Sequence, residues 1–150
     1  MCFVTGIDER FNVAKHDIKC YKVLYELFNG EYITPYRWIS VQVGKSLSGR
    51  ANGHTLEEAN SMIVKKNKIL LDFYAEVGDK KPTDLQILDD EVVHAYTTLE
   101  ISEYHKKDFY GGLSMSVINT EWTIPEGSFY MVNDNNEIVA SKMTFNKVIK

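Results

Sequence analysis

Glu121 is the residue whose position in this sequence most suggests chemistry. It lies in the stretch NTEWTIPEGSFYMV, residues 119–132, just ahead of Pro125 and Gly127, which together signal a turn. A carboxylate near the end of a strand is either an active-site group or part of the polar face of a half-buried strand. We favour the second interpretation, because strict alternation places Glu121 on the face opposite Trp122.

Other residue types that often carry chemistry form no recognisable set. The four histidines include no pair at i, i+4 and no HExxH motif, and Cys2 and Cys20 lack the CxxC spacing of zinc sites. The stretch GRANG, residues 49–53, has neither the GxGxxG of dinucleotide sites nor the Lys-Ser/Thr ending of a P-loop. The sequence therefore predicts no metal site and no cofactor, and we interpret the two cysteines as reduced thiols.

The composition favours one globular domain spanning residues 1–150. Hydrophobic residues make up 44% of the chain, which is ample for a core, and the net charge of -4 argues against a nucleic-acid partner, which needs an excess of Lys and Arg. No stretch approaches the roughly 18 apolar residues of a membrane span, and the start MCFVTGIDERF is not a signal peptide. We therefore expect a cytoplasmic protein without membrane contact.

The first half of the chain predicts two strands and one long helix. Strands are expected over 18–25 and 36–44, followed by a Gly- and Ser-rich loop over 45–54. A helix over 55–77 would begin at a capping box formed by Thr55 and Glu58 and end at Gly78. A solvated connector is expected over 79–91.

The second half predicts one short helix and four strands. A strand over 92–97 leads into a second capping box, Thr97 with Glu100, and a helix over 98–107. Further strands are expected over 113–124, 128–132 and 137–145, the last two joined by an NDNN turn. This order predicts an α+β fold, with a mainly antiparallel sheet and two helices, one long and one short.

Three pieces of the chain, CYKVLY, HAYTTLE and NTEWTIPEGSFYMV, resemble in order the parts of an ADP-ribosyltransferase-like domain. In that family a first strand holds NAD, a middle strand ends in a Ser/Thr motif before a helix, and a later strand carries the catalytic Glu. The resemblance implies these roles for Lys22, for Thr97 or Thr98 and for Glu121, which would stabilise the positive charge that grows as the glycosidic bond breaks. Lys22 departs from the Arg or His of the family.

The segments KCYKVL, HAYTTLE and TIPEGSFYMVNDNNEIVASKMTF also resemble small uncharacterised proteins of gut Bacteroidales and their phages. The resemblance covers the first strand and the C-terminal third to half of the chain, and leaves residues 45–90 uncovered. It implies no activity. On this interpretation the C-terminal pattern is structural, with Pro125 and Gly127 shaping a turn and Trp122 and Phe129 anchoring the core.

Three functional hypotheses follow from the sequence. The favoured one is a non-catalytic accessory or binding protein, encoded by a phage or mobile element, that meets an unknown protein partner through a patch including Tyr32, Tyr36 and Trp38. The second is an NAD-dependent ADP-ribosyltransferase, intact or degenerate, which requires Lys22, Thr97 and Glu121 to converge on one pocket. The third is a structural homo-oligomer, which needs a self-complementary surface.

Overall fold

The structure is a computed structural model that describes residues 3–5, 9–78 and 86–150. Its helices are α1 (Leu56–Val77) and α2 (Leu99–Lys106). Its strands are β1 (Phe3–Thr5), β2 (Asn12–Val13), β3 (Ile18–Leu27), β4 (Tyr32–Ile33), β5 (Ser40–Val41), β6 (Ser46–Ser48), β7 (Gln86–Leu88), β8 (Val93–Tyr96), β9 (Met115–Ile124), β10 (Phe129–Val132), β11 (Glu137–Ala140) and β12 (Lys142–Val148). Cys2 and most of the predicted connector, residues 79–85, lie outside the described residues.

The long strands β3 and β9 form the centre of the main sheet. They pair antiparallel in unbroken register from Ile18 with Ile124 to Leu27 with Met115. Strict alternation gives this pair two faces. The inner face is buried in an apolar core and carries Cys20, Lys22, Leu24, Ile118, Thr120, Trp122 and Ile124. The outer face carries Tyr21, Val23, Asn119 and Glu121, so the predicted alternation along β9 is confirmed.

The main sheet has ten strands, and it curls back on itself. Its order is β2-β10-β11-β8-β3-β9-β12-β6, with β4 and β5 added beside β3. In a flat sheet β6 would lie four strands from β8. Instead, the Arg50 and Ala51 amides, just after β6, donate to the carbonyls of Asp90 and Glu91, just before β8. The inner face is thereby enclosed, and Trp122 stacks there on Phe145 with ring centroids 4.8 Å apart.

Helix α1 covers a second core on the far side of β10 and β11. Its buried residues Ala59 and Ile63 pack with Met131 and Val139 and with the small sheet formed by β1 and β7. The predicted capping box is confirmed, because the Thr55 side chain accepts from the Glu58 amide and the Glu58 carboxylate accepts from the Thr55 amide. The predicted end is also confirmed, with Gly78 in the left-handed region at φ 77°. Residues 56–77 therefore form one helix.

Helix α2 packs on the outer face of β8, β3 and β9. The Ser102 hydroxyl donates to the buried Asn119 side chain at 2.7 Å, and the His105 ring stacks on Tyr96 at 4.7 Å. The predicted cap was one residue early. Thr98, not Thr97, is the N-cap, and its side chain accepts from the Ile101 amide.

The overall class is the predicted α+β fold, in which a mainly antiparallel sheet carries one long and one short helix. Within the described residues, neither helix combines the length and apolar character needed to cross a membrane. Four further local predictions were wrong. The predicted connector 79–91 contains β7 in its described part. The predicted strand 36–44 is mostly turn and leaves only the short β5, while the predicted loop 45–54 contains β6. The predicted strand 137–145 is divided at Ser141 into β11 and β12, whose neighbours in the sheet differ.

Candidate functional site

The candidate site lies where two parts of the main sheet separate. β3 and β8, both fully described, pair at a single position, Tyr21 with Tyr96. Beyond that pair the strands diverge, and a cavity of about 350 Å³ occupies the gap. Its lining includes Lys22 from the inner face and His94 and Tyr96 from β8, which confirms that it reaches through the opening between the strands.

Lys22 extends across this opening. Its ammonium Nζ donates to the His94 carbonyl at 2.6 Å, in place of a ladder bond that the diverging strands do not make. Among the described residues no carboxylate forms an ion pair with Lys22. Burial lowers the pKa of Lys22 from 10.5 to about 8, with a smaller opposing effect from Cys20. The residue is therefore a half-buried amine whose surroundings favour loss of its charge.

A short chain of hydrogen bonds fixes the backbone beneath Lys22. The Trp122 indole N–H donates to the Thr120 hydroxyl at 2.8 Å, and that hydroxyl donates to the Lys22 carbonyl at 2.6 Å. Thr120 and Trp122 are fully buried, so these bonds satisfy polar groups that would otherwise be costly in the core. The backbone that carries the lysine side chain is therefore held rigidly.

His94 is the second perturbed group of the cavity. Burial, followed by the charge of Lys22, lowers the pKa of His94 from 6.5 to about 4. Its Nε2 is buried and has no hydrogen-bond partner among the described residues. His94 is therefore neutral at pH 7.

Aromatic side chains surround the mouth of the cavity. Tyr36 and Phe109 line it, and their ring centroids lie 5.6 Å apart. The centroid of the Tyr25 ring lies 6.5 Å from that of Phe109 and 5.8 Å from that of Trp38. Trp38 adopts φ 56°, a left-handed conformation that is unusual for a large residue. The turn beginning at Thr34 holds it there, because the Trp38 amide donates to the Thr34 carbonyl at 3.0 Å.

The other charged groups of the lining already have partners. Arg37 forms ion pairs with Asp89, at 3.3 Å, and with Asp90. The Glu137 carboxylate accepts from the Asn133 side chain at 3.0 Å. Among the charged residues that line the cavity, Lys22 and Glu137 thus have no described partner of opposite charge, since the His94 carbonyl accepts from Lys22 and the Asn133 amide donates to Glu137.

The structure does not bring Lys22, Thr97 and Glu121 together. Lys22 lines the cavity, whereas Thr97 and Glu121 do not. Lys22 pairs with Thr120 and Tyr21 pairs with Glu121, so Lys22 and Glu121 project from opposite faces of the sheet. The Thr97 amide donates to the Asn136 carbonyl at 2.9 Å, in the turn between β10 and β11.

Glu121 has the surroundings of a structural carboxylate. Its side chain is 14% exposed and lies 3.7 Å from the Lys19 ammonium. It also accepts from the Asn146 side chain at 3.1 Å. These neighbours satisfy Glu121 on the outer face of β9, which is the arrangement expected of the polar side of a half-buried strand.

The predicted aromatic patch is divided between surface and core. Tyr36 and Trp38 are 63% and 58% exposed, as a binding patch requires. Tyr32 instead packs on the inner core, with its ring 5.6 Å from that of Phe145. Tyr36 thus belongs to the lining of the cavity, Trp38 lies outside the lining and stacks on Tyr25, and Tyr32 does not belong to the patch.

Sequence reasoning identified Lys22 only through a family resemblance, and it missed the cavity, His94 and Phe109 as a group. One signal was present in the sequence. Lys22 stands between Cys20 and Leu24 on the face of β3 that alternation predicts to be buried, and a lysine there must be either paired or functional. Comparison of the chain with protein-family models, curated proteins and solved structures gives no match.

Proposed function

We propose that this chain is a binding protein for a small molecule that has an apolar, ring-like body and one polar group. The cavity between β3 and β8 is the binding site. The observation that carries this proposal is the pairing of an aromatic mouth with a half-buried lysine that has no described ion-pair partner, in a volume of about 350 Å³. Ligand pockets are commonly of this size, mainly apolar and supplied with few polar groups.

Different parts of the cavity would contact different parts of the ligand. Tyr36 and Phe109 at the mouth offer ring faces and edges to a flat ligand. Lys22 at the β3–β8 opening offers an N–H donor, and its neutral form also offers a lone pair. The ion pairs of Arg37 hold the acidic segment after β7 beside the mouth and leave Lys22 to meet the polar group of the ligand.

Binding is better supported than ADP-ribosyl transfer. The transferase hypothesis needs the groups at Lys22 and Glu121 on one concave surface, and they project from opposite faces of the sheet. A protein partner and self-association remain predictions from the sequence. Exposed Tyr36 and Trp38 would serve a protein partner too, and the experiment below tests directly whether a small molecule occupies the cavity.

The test is titration with N-phenyl-1-naphthylamine, an uncharged dye with a naphthalene body whose fluorescence rises in apolar surroundings. We expect one saturable site per chain, at least fivefold weaker in Tyr36→Ala and changed in affinity in Lys22→Met. Tyr110→Ala is the matched control, because Tyr110 is 82% exposed and does not line the cavity. Unsaturable binding, or equal losses in Tyr36→Ala and Tyr110→Ala, would mean adsorption to the surface and would overturn the proposal.

A further inference from the structure

We propose that Lys22 binds its ligand covalently, as an imine, and that the ligands of the cavity are therefore small aldehydes or ketones. This inference rests on the proposed function and names the chemical class of the polar group. The geometry that carries it is a primary amine that lines the cavity, is held by one hydrogen bond to the His94 carbonyl and has no carboxylate partner among the described residues.

The hydrogen bond leaves the amine free to react. A neutral lysine has two N–H bonds and one lone pair, and the His94 carbonyl at 2.6 Å uses one N–H. The lone pair is then available for a carbonyl carbon in the cavity. The hydrogen-bonded Thr120 and Trp122 hold the strand that carries Lys22, so the backbone position of the amine is fixed.

The reaction is balanced without any further reactant. The lone pair of the amine attacks the carbonyl carbon, and a C–N bond forms while the C=O π bond becomes an alkoxide that takes up a proton. That proton is one of the two amine hydrogens, and the resulting carbinolamine loses its hydroxyl group with the remaining amine hydrogen as one molecule of water. The product is a C=N bond between Lys22 and the ligand, with no change of oxidation state.

The charges around the cavity favour a neutral carbonyl ligand over an anion. Asp89, Asp90 and Glu137 line the same cavity, and Arg37 offsets only part of their charge. An anionic ligand would enter against these carboxylates, whereas an aldehyde or ketone carries no charge. Burial, which lowers the pKa of Lys22 to about 8, supplies the neutral amine that attacks.

The test uses 2-naphthaldehyde, an apolar aromatic aldehyde, with cyanoborohydride to reduce any imine to a stable amine. Intact mass and peptide mapping locate the adduct. At pH 7.5 we expect Lys22 to be modified at least tenfold faster than the exposed Lys147, with a rate that rises toward a plateau above pH 8. Lys22→Met should lose this adduct and keep the slow modification of the exposed lysines.

A second arm separates the inference from the proposed function. The alcohol 2-naphthalenemethanol has the same body but cannot form an imine, and its competition with the naphthalene dye reports binding alone. If the alcohol competes and Lys22 is labelled no faster than Lys147, the imine is refuted and the binding function stands. If the alcohol does not compete, the proposed function fails as well. Circular dichroism of Lys22→Met establishes that the loss of label is not a loss of fold.

Discussion

Lys22 lies in surroundings that favour its uncharged form, and this has a consequence for folding. Burial lowers its pKa to about 8, while the unfolded chain has the ordinary value of 10.5. Between these two pH values the unfolded chain binds more protons than the folded one, so the free energy of unfolding rises with pH. Below pH 8 the lysine is protonated in both states, and the full desolvation cost remains.

The first prediction concerns Lys22→Met. From pH 7 to pH 10 the wild type should gain about 2 kcal/mol of stability relative to this variant, because only the wild type carries the shifted amine. Urea unfolding at a series of pH values measures the difference. Lys147→Met, at an exposed position, is the control, and its unfolding free energy should depend on pH as that of the wild type does. Parallel curves for wild type and Lys22→Met would show that the amine titrates normally and is well solvated.

The second prediction concerns His94 and applies to the acidic range of pH. Burial and then the charge of Lys22 lower the pKa of His94 to about 4. Between pH 6.5 and 4 the unfolded chain therefore takes up a proton that the folded chain does not, and the free energy of unfolding falls as the pH is lowered. His94→Gln should remove about 2 kcal/mol of this loss between pH 7 and 4.5. Thermal unfolding at these pH values tests it, with the exposed His16→Gln as the control. If His94→Gln lost as much unfolding free energy in acid as the wild type, the assigned burial of His94 would be contradicted.

Secondary elements governed by local chemistry were predictable. The capping box at Thr55, the left-handed Gly78 and the Asn-rich turn that places Asn136 at φ 61° all follow from residues close in sequence. The segment around Trp38 was not predictable in this way. Its aromatic and β-branched residues favour a strand, but tertiary stacking on Tyr25 and hydrogen bonds to Thr34 hold it as a turn.

The third prediction tests the contact that closes the sheet between β6 and β8. A Cβ atom at Gly49 would lie 2.5 Å from the Val92 Cα and would also clash with the Glu91 carbonyl oxygen, and neither backbone atom can move aside cheaply. Gly49→Ala should therefore destabilise the protein by about 2–3 kcal/mol, as overpacking of a rigid contact does. Because Gly49 also lines the cavity, binding of the naphthalene dye should weaken.

Gly112→Ala is the matched control for this variant. A Cβ atom there has no neighbour within 4 Å, and the residue does not have a positive φ, so the change in unfolding free energy should stay within about 0.5 kcal/mol. Urea unfolding compares the two variants. A Gly49→Ala protein as stable as Gly112→Ala would mean that β6 and the segment before β8 are not in tight contact.

At the scale of the whole molecule, the site depends on contacts that no local pattern encodes. The alternation along β9 correctly predicted that Ile118, Trp122 and Ile124 share the more deeply buried side of the strand. It could not show that β3 and β8 meet only at Tyr21 and Tyr96, nor that Phe109 would reach the same opening as Lys22. Tyr21 and Tyr96 are 75 residues apart in the sequence and Lys22 and Phe109 are 87 apart, so their meeting is set by the packing of the whole sheet, which is why the candidate cavity was missed.

The same long-range arrangement yields the last prediction, which concerns NAD. Lys22 and Glu121 project from opposite faces of the sheet, and Glu121 already contacts Lys19 and Asn146, so the two side chains do not form one NAD site on a shared concave surface. Titration calorimetry with millimolar NAD should give no heat of binding. Glu121→Gln should leave dye binding unchanged, whereas Lys22→Met should alter it. Heat that is lost in Glu121→Gln but kept in the exposed control Glu126→Gln would instead place a nucleotide on the outer face and revive the transferase hypothesis.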